Sequence, residues 1–179
     1  MANPFSARDI RRVISNATSL QVSDRAQIVM RVLSGLRGCG VRKVLMMPEK
    51  GGIIRLLKRD LQRYQQMGNN RFPELELTDT PISGTVEDTF AATKAMVDSG
   101  VKTIVVLGGD GTHRAVAKFC RQVPIAGIST GTNNAFPEHR EPTITGLAVG
   151  LASTGRVPES VALSPNKLLR VDINGGERH

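Results

Sequence analysis

The sequence predicts a three-layer α/β/α domain built on a parallel sheet. Short runs rich in Val and Ile alternate with amphipathic helical stretches from Val41 to Thr154. The clearest run, Val101–Leu107, is apolar almost throughout, as in a strand covered on both faces. Loops rich in Gly, Ser, Thr and Asn follow two of the strands, at the edge where such sheets bind ligands.

Ser6 is placed to cap a helix through about Ser19, with Ile10, Val13, Ile14 and Ala17 on one face. Ser23 is expected to cap a second helix through about Leu36, which Gly38 and Gly40 stop. Val41–Met47 reads as a buried strand closed by Pro48. Gly51 and Gly52 precede a helix over about Ile53–Met67, whose apolar stripe is Ile54, Leu57 and Leu61. Leu75–Leu77 is a short strand. Thr85 with Asp88 has the spacing of a capping box, opening a helix to Asp98 that Gly100 ends. After Val101–Leu107 come a Gly-rich loop, a helix over about Thr112–Arg121 and a strand at Pro124–Ile128. A polar loop then leads to a helix over about Thr143–Thr154.

Residues 1–160 are therefore read as one α/β domain. Pro158–Pro165 reads as a linker. Leu168–Ile173 alternates apolar and polar, and Gly175-Gly176 is a hairpin signal. Residues 161–179 are read as the linker and first strand of a second, β-rich domain that is cut short.

Composition narrows the function. The chain has 179 residues, 40 % apolar and 22 % charged, which fits a globular domain with a real core. Aromatics are 3 %, with no Trp and a single Tyr, so a base-stacking nucleic-acid module or a membrane protein with an aromatic belt is not expected. Two cysteines, Cys39 and Cys120, and three scattered histidines make neither a disulfide framework nor a metal spacing. The opening residues form no apolar leader and no run is long enough to span a bilayer, so a cytoplasmic protein without a membrane partner is expected. The net charge of +8 is uneven: residues 1–72 hold 14 Lys and Arg against 4 Asp and Glu. Such an excess suits solvated helix faces or a polyanionic partner, phosphorylated small molecules included.

Two loops carry chemistry. Gly108-Gly109-Asp110-Gly111-Thr112 lies between the best strand and a helix. Glycines let backbone amides approach phosphate oxygens, and a helix N-terminus attracts an anion. Thr112 can bind phosphate or cap the helix. Asp110 is repulsive to phosphate unless it holds Mg²⁺ or takes a proton from a hydroxyl, which is why the loop reads as catalytic. The second loop, Ser129 to Pro137, holds Gly131, Thr132, Asn133 and Asn134 one strand later. Its hydroxyls and amides suit ribose and phosphate without adding charge. Taken alone it is equally a polar turn.

These loops resemble those of the ATP–NAD kinase superfamily, which also holds the diacylglycerol and sphingosine kinases. Asn3-Pro4-Phe5-Ser6 is similar to the superfamily's Asn-Pro-x-Ser-Gly turn. Arg8–Arg12, Leu45–Pro48, Gly111–Arg114 and Gly131–Glu138 resemble the acetoin-catabolism (AcoX-like) branch. The resemblance implies a domain of the NAD kinase and diacylglycerol kinase type. It implies Mg²⁺-dependent phosphoryl transfer from ATP to the 2′-hydroxyl of NAD, yielding NADP, with a homo-oligomer as the full-length form. Asp110 would activate the hydroxyl or hold metal. Gly108, Gly109, Gly111 and Thr112 would bind phosphates, and Gly131, Thr132, Asn133 and Asn134 the nucleotide. Ala115 stands where the lipid kinases usually carry Glu, which counts against a lipid acceptor. A second reading is a nucleotide-binding accessory protein without transfer.

Other residues stay open. His113 and Arg114 could reach a phosphate or be exposed helix residues. His139, Arg140 and Glu141 lie in a loop. Cys120 is expected to be buried. Arg55, Lys58, Arg59 and Arg63 form a basic face that reads as solvated surface.

Overall fold

The computed structural model describes residues 1–2, 20–130, 134–167, 169, 171–173 and 176–178. The expected first helix and the Asn-Pro turn, within 3–19, lie outside the described residues.

The described elements run α1 (Val22–Gly38), β1 (Lys43–Met46), α2 (Ile53–Gln66), β2 (Glu74–Leu77), α3 (Val86–Asp98), β3 (Ile104–Gly108), α4 (Asp110–Ala117), β4 (Ile125–Ser129), α5 (Pro142–Ser153), α6 (Glu159–Ala162), β5 (Val171–Ile173) and β6 (Gly176–Arg178). β1 pairs in parallel with β2, from Lys43 opposite Glu74 to Met46 opposite Leu77. β3 pairs in parallel with β4, from Ile104 opposite Ile125 to Gly108 opposite Ser129. β5 and β6 form a separate antiparallel hairpin. Ala2 makes an isolated parallel bridge to Leu107.

The three layers follow from where the apolar side chains go. On one face Leu33 and Leu36 of α1, Ile53 and Leu57 of α2 and Val149 of α5 pack with Met46, Leu107 and Ile128. On the other, Ala92 and Met96 of α3, Val116 of α4 and Cys120 pack with Met47, Ile104 and Val106. β3 is covered on both sides, and its Val106 is fully buried, as its unbroken apolar run requires.

Element ends differ from expectation where side chains compete for backbone groups. α1 begins one residue before Ser23, because the Gln21 amide donates to the Asp24 carboxylate at 3.1 Å. Asp88 does not close a box with Thr85. It accepts from the amides of Ser83 and Gly84 and the Ser83 hydroxyl, each at 2.7 Å, and so folds the loop before α3 rather than capping its first turn. α4 starts at Asp110, two residues earlier than expected, and ends at Ala117.

α5 lies against α1 at backbone contact. A Cβ on Gly146 would stand 2.4 Å from the Val32 carbonyl oxygen, and one on Gly35 would stand 2.6 Å from that of Thr143. Both neighbours are main chain and cannot turn aside. Gly146→Ala should therefore lower stability by about 1–3 kcal/mol, the usual cost of overpacking. Urea denaturation measures this as a lower midpoint with an unchanged slope.

Candidate nucleotide site at the carboxyl ends of the strands

β3 and β4 stay in register to their last residues, so the two loops leave the sheet side by side. Gly109 is the extended N-cap of α4, and Asp110, Gly111 and Thr112 form the helix's first turn. The loop reading of these three residues is corrected: they open the helix at the positive end of its macrodipole, with the Thr112 amide bonded back to the Gly109 carbonyl at 3.0 Å.

The Asp110 carboxylate does not face the interior. It receives the Ala135 amide at 2.9 Å and the Phe136 amide at 3.0 Å. Asn134 completes a cross-tie between the loops. Its side-chain nitrogen donates to the Ser129 hydroxyl at 2.7 Å, and its oxygen accepts the Asp110 amide in a long contact of 3.4 Å. A Cβ on Gly109 would stand 2.9 Å from that Asn134 oxygen and push the Asn134 side chain aside. Asn134 thus joins the two loops to each other. Gly131, Thr132 and Asn133 lie outside the described residues.

Beside the first turn of α4 is a cleft of about 450 Å³. Gly109, Gly111, Thr112 and Arg114 line one wall. The lining also includes Lys50, after β1, and Asp88, at the start of α3. Gly111 needs no special backbone angle, and a Cβ there would meet nothing within 4 Å. Its missing side chain leaves open space toward the cleft. Burial alone would raise the Asp88 pKa, but the bonds from Ser83 and Gly84, with the charge of Lys50, hold it below the ordinary carboxylate value.

Lys50, Asp88 and the Ser83–Thr85 turn were not among the sequence candidates. One signal could have found them: β1 and β2 are parallel strands too, so the chain after each also emerges at the ligand-binding edge.

His113 is buried, which excludes the exposed reading. The Gly109 carbonyl accepts from Nδ1 at 3.0 Å, which fixes the proton on that nitrogen. Nε2 is buried without a hydrogen-bond partner among the described residues, and it faces Gly127, where a Cβ would stand 2.7 Å away. His113 supports the loop from beneath and does not line the cleft. Arg114 is exposed and does line it. Cys120 is buried and burial pushes its thiol pKa up, the reverse of an activated nucleophile. Among the described residues no three His, Cys, Asp or Glu side chains gather to hold a metal. No helix among them is long and apolar enough to cross a membrane.

Parallel strands covered by helices on both faces, with a Gly-rich turn opening a helix at their carboxyl ends, define an α/β domain of the nucleotide-binding kind. More specifically, the chain belongs to the ATP–NAD kinase family: the model of the family's N-terminal domain matches residues 12–156. The chain is also 55 % identical, over 181 residues, to acetoin catabolism protein X of Cupriavidus necator. That match covers 99 % of this chain and 50 % of the relative, so the chain spans about half the relative's length. No solved structure gives a significant match.

His113 makes stability depend on pH. Burial, the largest effect, pulls its pKa below 6.5, against the Gly109 bond and the Asp110 charge, which raise it. The unfolded chain then binds the proton more readily than the folded one. Stability is whole above about pH 6.5 and falls as pH drops below it, by at most about 1.4 kcal/mol per pH unit. His113→Asn, which can still donate to Gly109, should flatten this slope between pH 6.5 and 5. Urea midpoints across that range measure it. The Met1 ammonium, lowered by burial to about 6, repels the charged ring and lowers the His113 pKa further, so the difference between the two proteins reads His113 together with this coupling.

Proposed function

We propose that the chain is the nucleotide-binding part of a cytoplasmic phosphotransferase that passes a phosphoryl group from ATP to the 2′-hydroxyl of NAD. The observation that carries this reading is Gly111. It sits in the first turn of a helix, where an alanine would fit and would stabilise, yet the position is left without a side chain and opens on the cleft. A space of this kind at a helix N-terminus suits phosphate oxygens. Gly109, Gly111 and Thr112, which line the cleft, would bind the phosphates together with Gly108 before them, and Lys50 and Arg114 of the same lining would neutralise charge.

Asp110 would hold the acceptor hydroxyl and take its proton. Its two amide bonds fix the carboxylate's direction. The donor set is compatible with Mg²⁺ in the form that phosphoryl-transfer sites use: one carboxylate, here Asp110, with the remaining ligands from phosphate and water. When bound, the ion would neutralise charge on the transferring group. Asn133, Asn134, Gly131 and Thr132 would bound the nucleotide from the second loop.

A second reading is a nucleotide-binding accessory protein. The observation favouring it is that both Asp110 oxygens are already engaged by Ala135 and Phe136. Calorimetry with MgATP, beside an assay for NADP from MgATP and NAD, separates the two. The kinase reading expects binding and product; the accessory reading expects binding alone. Gly111→Ala should hold or raise thermal stability by about 0.5–1 kcal/mol while weakening MgATP binding at least tenfold. Arg114→Ala should weaken it about tenfold to a hundredfold, the worth of one charge-assisted bond. Asp110→Asn should leave binding within a few-fold and abolish product. MgATP binding untouched by Gly111→Ala and Arg114→Ala would remove the cleft from both readings.

A further inference from the structure

A second cleft, of about 550 Å³, is lined by α1, α2 and Phe72 and shares no residue with the nucleotide cleft. From α1 come Met30 and Arg31. From α2 come Arg59, Arg63 and Met67, each four residues after the last and so on one face of the helix. The basic face of α2 is therefore divided. Arg59 and Arg63 line the cleft, while Arg55 and Lys58 do not and remain solvated surface.

Three arginines stand in this lining against one acid, Asp60, and they are not equivalent. Arg31 pairs with Glu141 and donates to the Thr143 hydroxyl at 3.3 Å. Arg59 is shared with Asp60, from Nε at 3.1 Å and from the guanidinium end at 3.0 Å. The Arg63 guanidinium is exposed and has no partner among the described residues. Beside these charges the lining is apolar. Met30 is buried, while Tyr64 is 37 % and Met67 65 % exposed. The Tyr64 and Phe72 rings meet at 5.1 Å, tilted by 60°, which leaves no slot between them for a flat base. Arginine, methionine and aromatic side chains are the types enriched where proteins meet, and lysine and glutamate, which are depleted there, are missing from this lining.

We propose that this cleft binds an acidic, amphipathic segment of a partner protein. A bulky apolar side chain of the segment enters against Met30, Tyr64 and Met67, and carboxylates flanking it pair with Arg63 and Arg59. Methionine suits the apolar part, because its flexible thioether adapts to the shape of the side chain that arrives. Arginine suits the polar part, because its planar fork takes a carboxylate through two parallel bonds. A polyphosphate fits less well. Tyr64 and Met67 lie at the carboxyl end of α2, the negative end of its dipole, and Asp60 adds a negative charge to the same wall. Single carboxylates spaced along a peptide reach Arg59 and Arg63 one turn apart, without crowding several charges onto that end.

The test is a titration of the 179-residue chain, followed by amide-resolved NMR, with a capped probe peptide of sequence Glu-Glu-Leu-Phe-Glu-Glu at physiological salt. Saturable shifts are expected at Arg59, Arg63, Tyr64, Met67 and Phe72, with a Kd below about 1 mM. Arg63→Ala should weaken binding about tenfold, the worth of one charge-assisted bond. Arg55→Ala, outside the lining, should leave it unchanged. The same peptide with alanine in place of its phenylalanine should also bind about tenfold more weakly. That arm alters nothing in the chain, so it holds whether or not a variant folds. Failure to saturate in this range, equal losses from Arg55→Ala and Arg63→Ala, or undiminished binding of the alanine peptide would overturn the proposal. Tripolyphosphate or an oligouridine RNA that shifts the same amides at lower concentration than the peptide would assign the face to polyphosphates and also overturn it.

Discussion

The candidate site depends on the parallel register between β3 and β4. Ile104 through Gly108 lie opposite Ile125 through Ser129, and both strands end at the same height. That alignment brings the first turn of α4 and the loop after β4 within hydrogen-bonding distance. Asp110 can then take the amides of Ala135 and Phe136, while Asn134 reaches back to Ser129 and the Asp110 amide. A slip of one residue would turn every side chain of β4 to the opposite face and separate these partners. The register is held by apolar side chains that have a place on only one side, such as Ile128 in one cluster and Val106 in the other.

Packing further out supports the same loop. Gly35 and Gly146 let α1 and α5 meet at backbone distance. Glu141 caps α5 by accepting the Ile144 amide at 2.6 Å and also pairs with Arg31 of α1. The segment between β4 and α5 is thus anchored at both ends, by Asp110 and Asn134 at its start and by Glu141 at its finish. Beneath the site, His113 carries the Gly109 carbonyl on a neutral ring. The cleft-facing residues Gly111 and Arg114 are spared these structural tasks and remain exposed.

Much of the fold was legible in the sequence because burial on two faces leaves a strong pattern. Val101–Leu107 announced a covered strand, and the Gly-Gly-Asp-Gly-Thr run announced a helix opened by a flexible turn. What the sequence hid were choices among competing local bonds. Thr85 and Asp88 have capping-box spacing, but Asp88 finds better donors upstream in Ser83 and Gly84. Asp110 looked like a loop residue because glycines flank it, yet it begins the helix. In sequence His113 is open between a phosphate contact and an exposed helix residue; it is neither, and its buried ring packs over Gly127, a residue distant in sequence. Lys50 was missed because a lone lysine after a strand carries no local signal, and only the arrangement of four parallel strands brings it to the cleft. The Gly131–Asn133 calls fall outside the described residues.

On the proposed function, phosphate binds at the first turn of α4. Amide-resolved NMR of the 179-residue chain titrated with MgATP tests it most directly. The account predicts saturable shifts at Gly109, Gly111, Thr112 and Arg114, with smaller ones at Lys50, and little change around Arg59 and Arg63 on the distant basic face. Shifts centred on that basic face, or none at the α4 terminus at saturating nucleotide, would contradict it.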